Sequence, residues 1–459
     1  MGTQQAAENQ RTGWIAAAYQ KNCRPFIHAT LAGEISRTAR YFDQVVQVLP
    51  RPEDRGELLR AVDNARKTVA NRLEDIPDLL PEMDQRAFLL LNGNLNHHYD
   101  IEGLLRSIRA KCSRSTRVGV VFYNSYLRSL YRLANRLGVR AAELPATFCT
   151  NRNLQNIASL AGFEVVRARP AVYMPFPLGG LGVWLNGLFA AAPVLRWFGF
   201  AEVLILRPVA PTEHWPSLSI VIPARNEKGN IENALKRIPR IGDARLEVIF
   251  VEGHSSDGTW EEIQRVVDAW KDRFTLQAHR QTGKGKSDAV RLGFSRATGD
   301  LLTILDADLT MPPELLPRFY EAWRSGRGDF INGNRLVYPM EGEAMRFLNH
   351  LGNLFFARAL SFVLDTPLGD SLCGTKLMSR TDYARMIRWR HDFGDFDPFG
   401  DFEIIFPACT LGLGVVDMPI RYLARTYGTT NIHRFRHGLV LLRMTLVGFF
   451  RIRWGAGPR

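Results

Sequence analysis

The chain has 459 residues, enough for two domains, and its 46% hydrophobic and 23% charged residues exclude extensive disorder. A formal net charge of +13 implies a polyanionic partner: nucleic acid, an anionic membrane surface or a phosphorylated substrate. Five cysteines (Cys23, Cys112, Cys149, Cys373 and Cys409) stand without paired spacing, which argues against a disulfide framework or zinc site and for a reducing cytosol. The polar N-terminus, with Gln4, Gln5, Glu8, Asn9 and Gln10, carries no signal-peptide pattern. Residues 178–200 are apolar but broken by Gly179, Gly180, Pro193 and Arg196. Residues 438–450 fall short of the ~20 needed to span a bilayer. Both runs are expected as buried core helices or as helices lying in a membrane interface.

In chain order, residues 30–78 are expected to be helical and charge-rich. Residues 87–91 and 118–122 read as strands around a helix at 101–111, and a strand pair follows at 163–167 and 201–206. Pro208, Pro211 and Pro216 then interrupt periodic structure and mark a linker. This divides the chain into a first domain at 1–208, a linker at 209–216, a second domain at 217–432 and a basic amphipathic segment at 433–459. From Met418 to Arg459 there are eight Arg, two His and no acid.

The second domain carries the chemistry. Strands at 218–223 and 247–251 end in Ala224-Arg225-Asn226-Glu227 and in Glu252-Gly253-His254-Ser255-Ser256-Asp257. Carboxylates at such ends can hold ribose hydroxyls and the donor edge of a base. Gly283-Lys284-Gly285-Lys286-Ser287 opens a helix whose first turn can face a pyrophosphate, although Arg280 stands where a Walker loop needs Gly. The apolar run Leu301-Leu302-Thr303-Ile304-Leu305 reads as a strand buried on both faces, and it ends in Asp306-Ala307-Asp308. Two acids at the carboxyl edge of a parallel sheet supply hard oxygen ligands for Mg²⁺ or Mn²⁺, ions that also bind substrate phosphates.

This succession, over roughly residues 216–440, resembles the inverting family-2 glycosyltransferases of GT-A fold. Within them it looks most like the dolichyl- and polyprenyl-phosphate mannose and glucose synthases. The resemblance implies an α/β fold with a mixed, mainly parallel sheet flanked by helices. It implies a nucleotide-sugar of UDP-glucose or GDP-mannose type, held by Pro223, Arg225, Glu227, Glu252, Asp257, Lys284, Asp306 and Arg335. The family's paired acids of the second loop are Glu252-Gly253 here, so one carboxylate remains. Asp306 and Asp308 would hold the divalent cation. Gly369-Asp370-Ser371-Leu372-Cys373-Gly374-Thr375-Lys376 matches the acceptor-side segment, with Cys373 as a small packing residue. Asp401-Phe402-Glu403 matches the acidic helix start where the base resides, and Arg425-Thr426-Tyr427 matches the late basic loop. Asp401 and Arg425 are therefore the catalytic candidates. Lys376, Arg421, Arg425 and Arg434 are candidates for the acceptor phosphate, with His433 also near the leaving group.

The first half, over roughly residues 85–208, resembles the C-terminal part of a class I S-adenosylmethionine-dependent methyltransferase. Ala87-Phe88-Leu89-Leu90-Leu91-Asn92-Gly93-Asn94 and Ile157-Ala158-Ser159-Leu160-Ala161-Gly162-Phe163 carry this likeness. No Gly-rich cofactor loop occurs upstream of Ala87, so a partial Rossmann-like, inactive domain is expected.

The expected activity is transfer of a hexose from the nucleotide-sugar to a polyprenyl phosphate. A polyprenyl phosphate is already anionic and needs a positive cradle more than a base, so Asp401 is expected to position first and accept a proton second. The expected location is cytoplasmic, peripheral on the inner face of an anionic membrane. The competing readings are extension of a saccharide and a bifunctional methyltransferase–glycosyltransferase. Nucleic-acid binding is not expected, because no module with aromatic stacking strips is present.

Overall fold

The computed structural model describes residues 17, 19–76, 86–137, 143–192, 194–339, 347–394, 397, 400–425, 427 and 434–454. The chain divides into two compact units. One runs through Val209 and takes in the C-terminal residues from Phe450, and the other runs from Ala210 to Phe449.

The first unit is built on β1 (Gln44–Val48), β2 (Lys67–Ala70), β3 (Ala87–Asn92), β4 (Arg117–Tyr123), β5 (Phe163–Val172) and β6 (Ala201–Pro208), in the order β2-β1-β3-β4-β6-β5. The first four are parallel, and β6 runs antiparallel to both β4 and β5. Residues Phe88 to Leu91 are fully buried, as an unbroken apolar strand between two layers requires. The expectation of helix across 30–78 is corrected. The helix Arg24–Ala39 ends early, and β1 and β2 lie within that stretch. Val45, Val46 and Val48 are buried β-branched residues, while much of the charge sits in the connecting loops and masks the strands.

The apolar run at 178–200 is not a buried core helix. Its helix, Leu181–Ala191, leaves Leu181, Val183 and Trp184 exposed, and Trp197 and Phe198 beyond it are exposed too. Among the described residues no helix is long and apolar enough to cross a membrane. The segment expected as one piece at 433–459 is divided. The helix Arg434–Gly448 lies in the second unit, whereas residues from Phe450 pack with the first. There Arg169 Nη1 donates to the Ile452 carbonyl at 2.7 Å, and Trp454 meets Trp184 edge to face with centroids 6.0 Å apart.

The second unit holds β7 (Leu218–Ala224), β8 (Leu246–Glu252), β9 (Thr275–Arg280), β10 (Leu301–Ile304), β11 (Phe330–Asn334), β12 (Lys376–Ser379) and β13 (Val415–Pro419), in the order β13-β11-β12-β10-β7-β8-β9. Strands β10, β7, β8 and β9 are parallel, and β12 is antiparallel to β10 and β11. Helices cover the sheet, and Ile220, Ile222, Val248, Phe250, Leu301 and Leu377 form its core. The chain winds outward from β7 through β8 to β9, then returns to place β10 on the other side of β7. Such a reversal opens a crevice beyond the carboxyl ends of the strands.

Candidate active site

A cavity of about 660 Å³ occupies that crevice. Three non-glycine residues with left-handed backbone sit in the loops around it: Asn226 after β7 (φ 57°), His254 after β8 (φ 58°) and Leu309 after β10 (φ 54°). Strain of this kind persists only where neighbours hold it, and it concentrates at functional sites. Here the loops hold one another. Ser255 Oγ accepts the Asn226 N–H at 3.0 Å, and Asn226 Oδ1 accepts the Ser256 N–H at 2.9 Å. Thr259 Oγ1 accepts the Glu227 N–H at 3.0 Å, and the Tyr427 hydroxyl donates to Asp257 Oδ2 at 3.2 Å.

Asp306 and Asp308 stand at the end of β10, each engaged by a cation of the chain. Lys286, first residue of the helix Lys286–Arg296, pairs with Asp306. Arg425 Nη2 lies 2.7 Å from Asp308 Oδ2, whose partner oxygen accepts from the Thr310 hydroxyl at 2.8 Å. Burial alone would raise the Asp306 carboxyl, but the Lys286 ammonium overrides it and holds the group below the usual carboxylate range. Gly374 permits this approach, since a Cβ there would collide with both Lys286 Nζ and the Asp306 carboxylate. Glu227 faces the opposite influence. Burial, with Asp308 and Asp257 nearby, pushes its carboxyl up to about 7 although Asn230 donates to it.

Pro223, Arg225, Glu227, Asp257, Asp306, Asp308, Arg335, Asp401 and Arg425, all singled out in the sequence, line this one cavity. Arg335 is clamped by Asp370 through two hydrogen bonds of 2.7 and 2.9 Å, and its guanidinium lies over Tyr422. Asp401 precedes the helix Phe402–Thr410, and its Oδ1 accepts from Lys376 Nζ at 2.5 Å. The cap of that helix comes from Asp397, which accepts the N–H groups of Phe402 and Glu403. Cys373 is a packing residue, its thiol pushed up to about 12 by burial.

Four expectations need correction. Glu252 does not face the cavity; its buried carboxylate turns back to accept the N–H of Ser255. Lys284 is exposed and outside the lining, because Gly285 (φ 90°) starts the helix one residue later and brings Lys286 in instead. Lys376 offers no free charge to an acceptor. It is fully buried on β12 between β10 and β11 and is spent on Asp401 and the Cys373 carbonyl. Arg421 is exposed and does not line the cavity. His433 and the side chain of Arg434 lie outside the described residues. Sequence reasoning missed Gln281, Tyr422 and Tyr427, which also line the site. Only Tyr427 had a signal, its place in the late basic loop.

The glycosyl transferase family 2 profile matches residues 219–387. A dolichol-phosphate mannosyltransferase of Pyrococcus furiosus is 36% identical over 122 residues, 26% of this chain and 33% of that protein. A dolichyl-phosphate hexose transferase of Haloferax volcanii is 29% identical over 224 residues, 49% of this chain and 90% of its own length. The chain thus spans a third of the first relative and nearly all of the second. Among solved structures, glucosyl-3-phosphoglycerate synthase from Mycobacterium tuberculosis, in complex with Mn²⁺ and UDP, overlaps at a TM-score of 0.36 with 17% identity, over 52% of this chain and 80% of that one. An overlap at that level bears no weight for the chemistry. The expected α/β architecture with parallel-dominated sheets is present, and the profile match covers the strand end that bears Asp306 and Asp308. Residues 219–387 are therefore similar to glycosyl transferase family 2.

Proposed function

We propose that the chain transfers a hexose from a nucleotide-sugar to a polyprenyl phosphate, with inversion at the anomeric carbon, at an anionic membrane surface. The observation that carries this reading is the pair Asp306 and Asp308 at the switch point of the sheet, in one cavity with Glu227, Lys286, Arg335 and Arg425. Two carboxylates are the protein's usual share of a Mg²⁺ or Mn²⁺ site whose other ligands are phosphate oxygens and water, so the donor set fits a divalent cation. When bound, such an ion supplies neutralisation of the charge that grows on the departing diphosphate. Lys286 and Arg425 would face the same phosphates, and Glu227 and Asp257 the nucleoside.

Asp401 supports the choice of acceptor. Its Oδ1 is already occupied by the buried ammonium of Lys376 and is not open to an incoming hydroxyl. That suits an acceptor already ionised, such as a phosphate, and not a sugar hydroxyl that must lose a proton during attack. The Pyrococcus and Haloferax relatives, named for dolichol phosphate, support the same choice. For the membrane, the helix Arg434–Gly448 exposes Leu439, Leu442 and Leu446 beside Arg443, and the helix Phe347–Leu364 packed against it exposes Leu351, Phe355 and Phe362. Apolar side chains bordered by arginine suit the boundary between lipid tails and anionic headgroups. Incubation of radiolabelled nucleotide-sugars with polyprenyl phosphate tests the reading. A labelled lipid released by mild acid is expected; a product stable to mild acid would overturn it.

A further inference from the structure

The helix Leu181–Ala191 of the first unit contains no charged residue. Its one polar side chain, Asn186, turns inward. There Oδ1 accepts the N–H groups of Tyr173 and Met174 at 2.8 and 2.7 Å, and Nδ2 donates to the Met174 carbonyl at 3.0 Å. The outward side is left to Leu181, Val183 and Trp184, all exposed. Beyond the helix Val194 is 80% exposed and Trp197 86%, with Phe198 exposed as well. Single exposed apolar residues are ordinary, but this many on one helix and the turn that follows it mark a contact surface. Its border is basic. Asn124 Nδ2 donates to the carbonyls of Trp197 and Gly199 at 3.2 and 3.1 Å, and the Tyr131 hydroxyl donates to the Phe200 carbonyl at 2.8 Å. These bonds fasten the helix Arg128–Arg136 next to the turn, with Leu130, Arg132, Leu133 and Arg136 exposed. No acidic residue occurs at 103–142 or at 165–201.

We propose that this face docks the protein on an anionic lipid bilayer, with Trp184, Trp197 and Phe198 seated among the headgroups and upper acyl chains. The proposal rests on the membrane part of the proposed function and gives the first unit its own share in it, separate from the helices Phe347–Leu364 and Arg434–Gly448. Three features choose lipid as the occupant. At 1.5 Å per residue the helix Leu181–Ala191 is about 16 Å long, half the thickness of a bilayer core, so it can lie in the interface and cannot cross. Tryptophan favours the headgroup level, where its ring is in apolar surroundings and its N–H stays wet. The bordering arginines can reach lipid phosphates while their stems lie along the apolar surface. A second copy on the same face would instead bring those arginines against their own equivalents.

Quenching of tryptophan fluorescence by phosphatidylglycerol vesicles with brominated acyl chains tests this on the full chain. The helices Phe347–Leu364 and Arg434–Gly448 carry no tryptophan, so docking through them alone gives little quenching. Strong quenching is expected. Trp184→Leu with Trp197→Leu is expected to keep cosedimenting with the vesicles and to lose most of the quenching. Trp197→Glu with Phe198→Glu is expected to lower the partition ~10-fold or more, because two large apolar side chains lose their burial. Its melting temperature and its binding of a nucleoside diphosphate with Mn²⁺ are expected to stay unchanged. Quenching that survives the leucine pair would overturn the proposal. So would partition that survives the glutamate pair while Leu439→Glu with Leu446→Glu abolishes it, and the second unit's contact would then stand alone. Failure of the unsubstituted chain to bind vesicles would remove both membrane contacts and leave the sugar-transfer reading in place. A lipid-free dimer in sedimentation velocity that the glutamate pair dissociates would also overturn the proposal, making the face a contact between copies.

Discussion

At the scale of single residues, charge compensation decides what each acid can do. Asp308 is held by Arg425 and Thr310, so removing its carboxylate leaves partners that solvent can satisfy. Asp308→Ala is expected to stay folded, to lose the thermal stabilisation given by Mn²⁺ with a nucleoside diphosphate, and to lose ~100-fold in rate, about 3 kcal/mol. Circular dichroism melts and initial rates check this. Glu227 gives a pH signature. With its carboxyl raised from 4.5 to about 7 in the fold, the native state holds more protons than the unfolded state between those values. Stability therefore falls as pH rises through that window. Glu227→Gln is expected to melt above the parent at pH 8 and level with it near pH 4.5; a constant gap across that range would refute the assignment. Asp306 and Asp308 were legible in sequence because an apolar run broke off at two acids. Lys286 was not, since the choice between it and Lys284 depends on which residue Gly285 turns inward. The retreat of Glu252 is a matter of side-chain direction that no pattern encodes.

At the scale of elements, the helix Phe402–Thr410 and strand β12 set the acceptor side. Asp397 supplies the helix cap, and Asp397→Ala is expected to cost about 1 kcal/mol in urea unfolding. Lys376 on β12 is fully buried and pairs with Asp401, so Lys376→Met alone strands a carboxylate and is expected to cost roughly 3–5 kcal/mol. The double variant Lys376→Met with Asp401→Leu recovers much of that loss if the pair is the reason; a purely additive cycle would refute the coupling. Strands β3, β4, β7, β8 and β10 were readable because both faces are buried and their sequences run apolar without alternation. Strands β1 and β2 were not. β1 contains two glutamines, of which Gln47 is buried and bonds Asp54, and β2 carries an exposed Thr68 and Val69. Each reads as polar although the sheet order makes it a strand.

At the scale of the whole molecule, the net charge of +13 and the apolar faces of the helices Phe347–Leu364 and Arg434–Gly448 predict binding to vesicles rich in anionic lipid. Cosedimentation is expected to fall as salt shortens the reach of surface charge. Leu439→Glu with Leu446→Glu is expected to weaken it further without changing the binding of a nucleoside diphosphate. Equal binding to neutral and anionic vesicles would remove the electrostatic part. The three prolines read as a linker in sequence, and the two compact units divide at Val209 and Ala210. The return of residues beyond Phe450 to the first unit was not visible in sequence, because Arg169 and Trp184, which hold them, are far away in the chain.

The ion pairs of Asp306 with Lys286 and of Asp308 with Arg425 have a kinetic consequence. Lys286 and Arg425 would have to leave Asp306 and Asp308 before those carboxylates could hold a divalent ion. A diphosphate would offer both cations other oxygens and so favour their release. Order of addition should then matter in stopped-flow mixing: protein preincubated with Mn²⁺ alone gains no head start over protein given Mn²⁺ and nucleotide together.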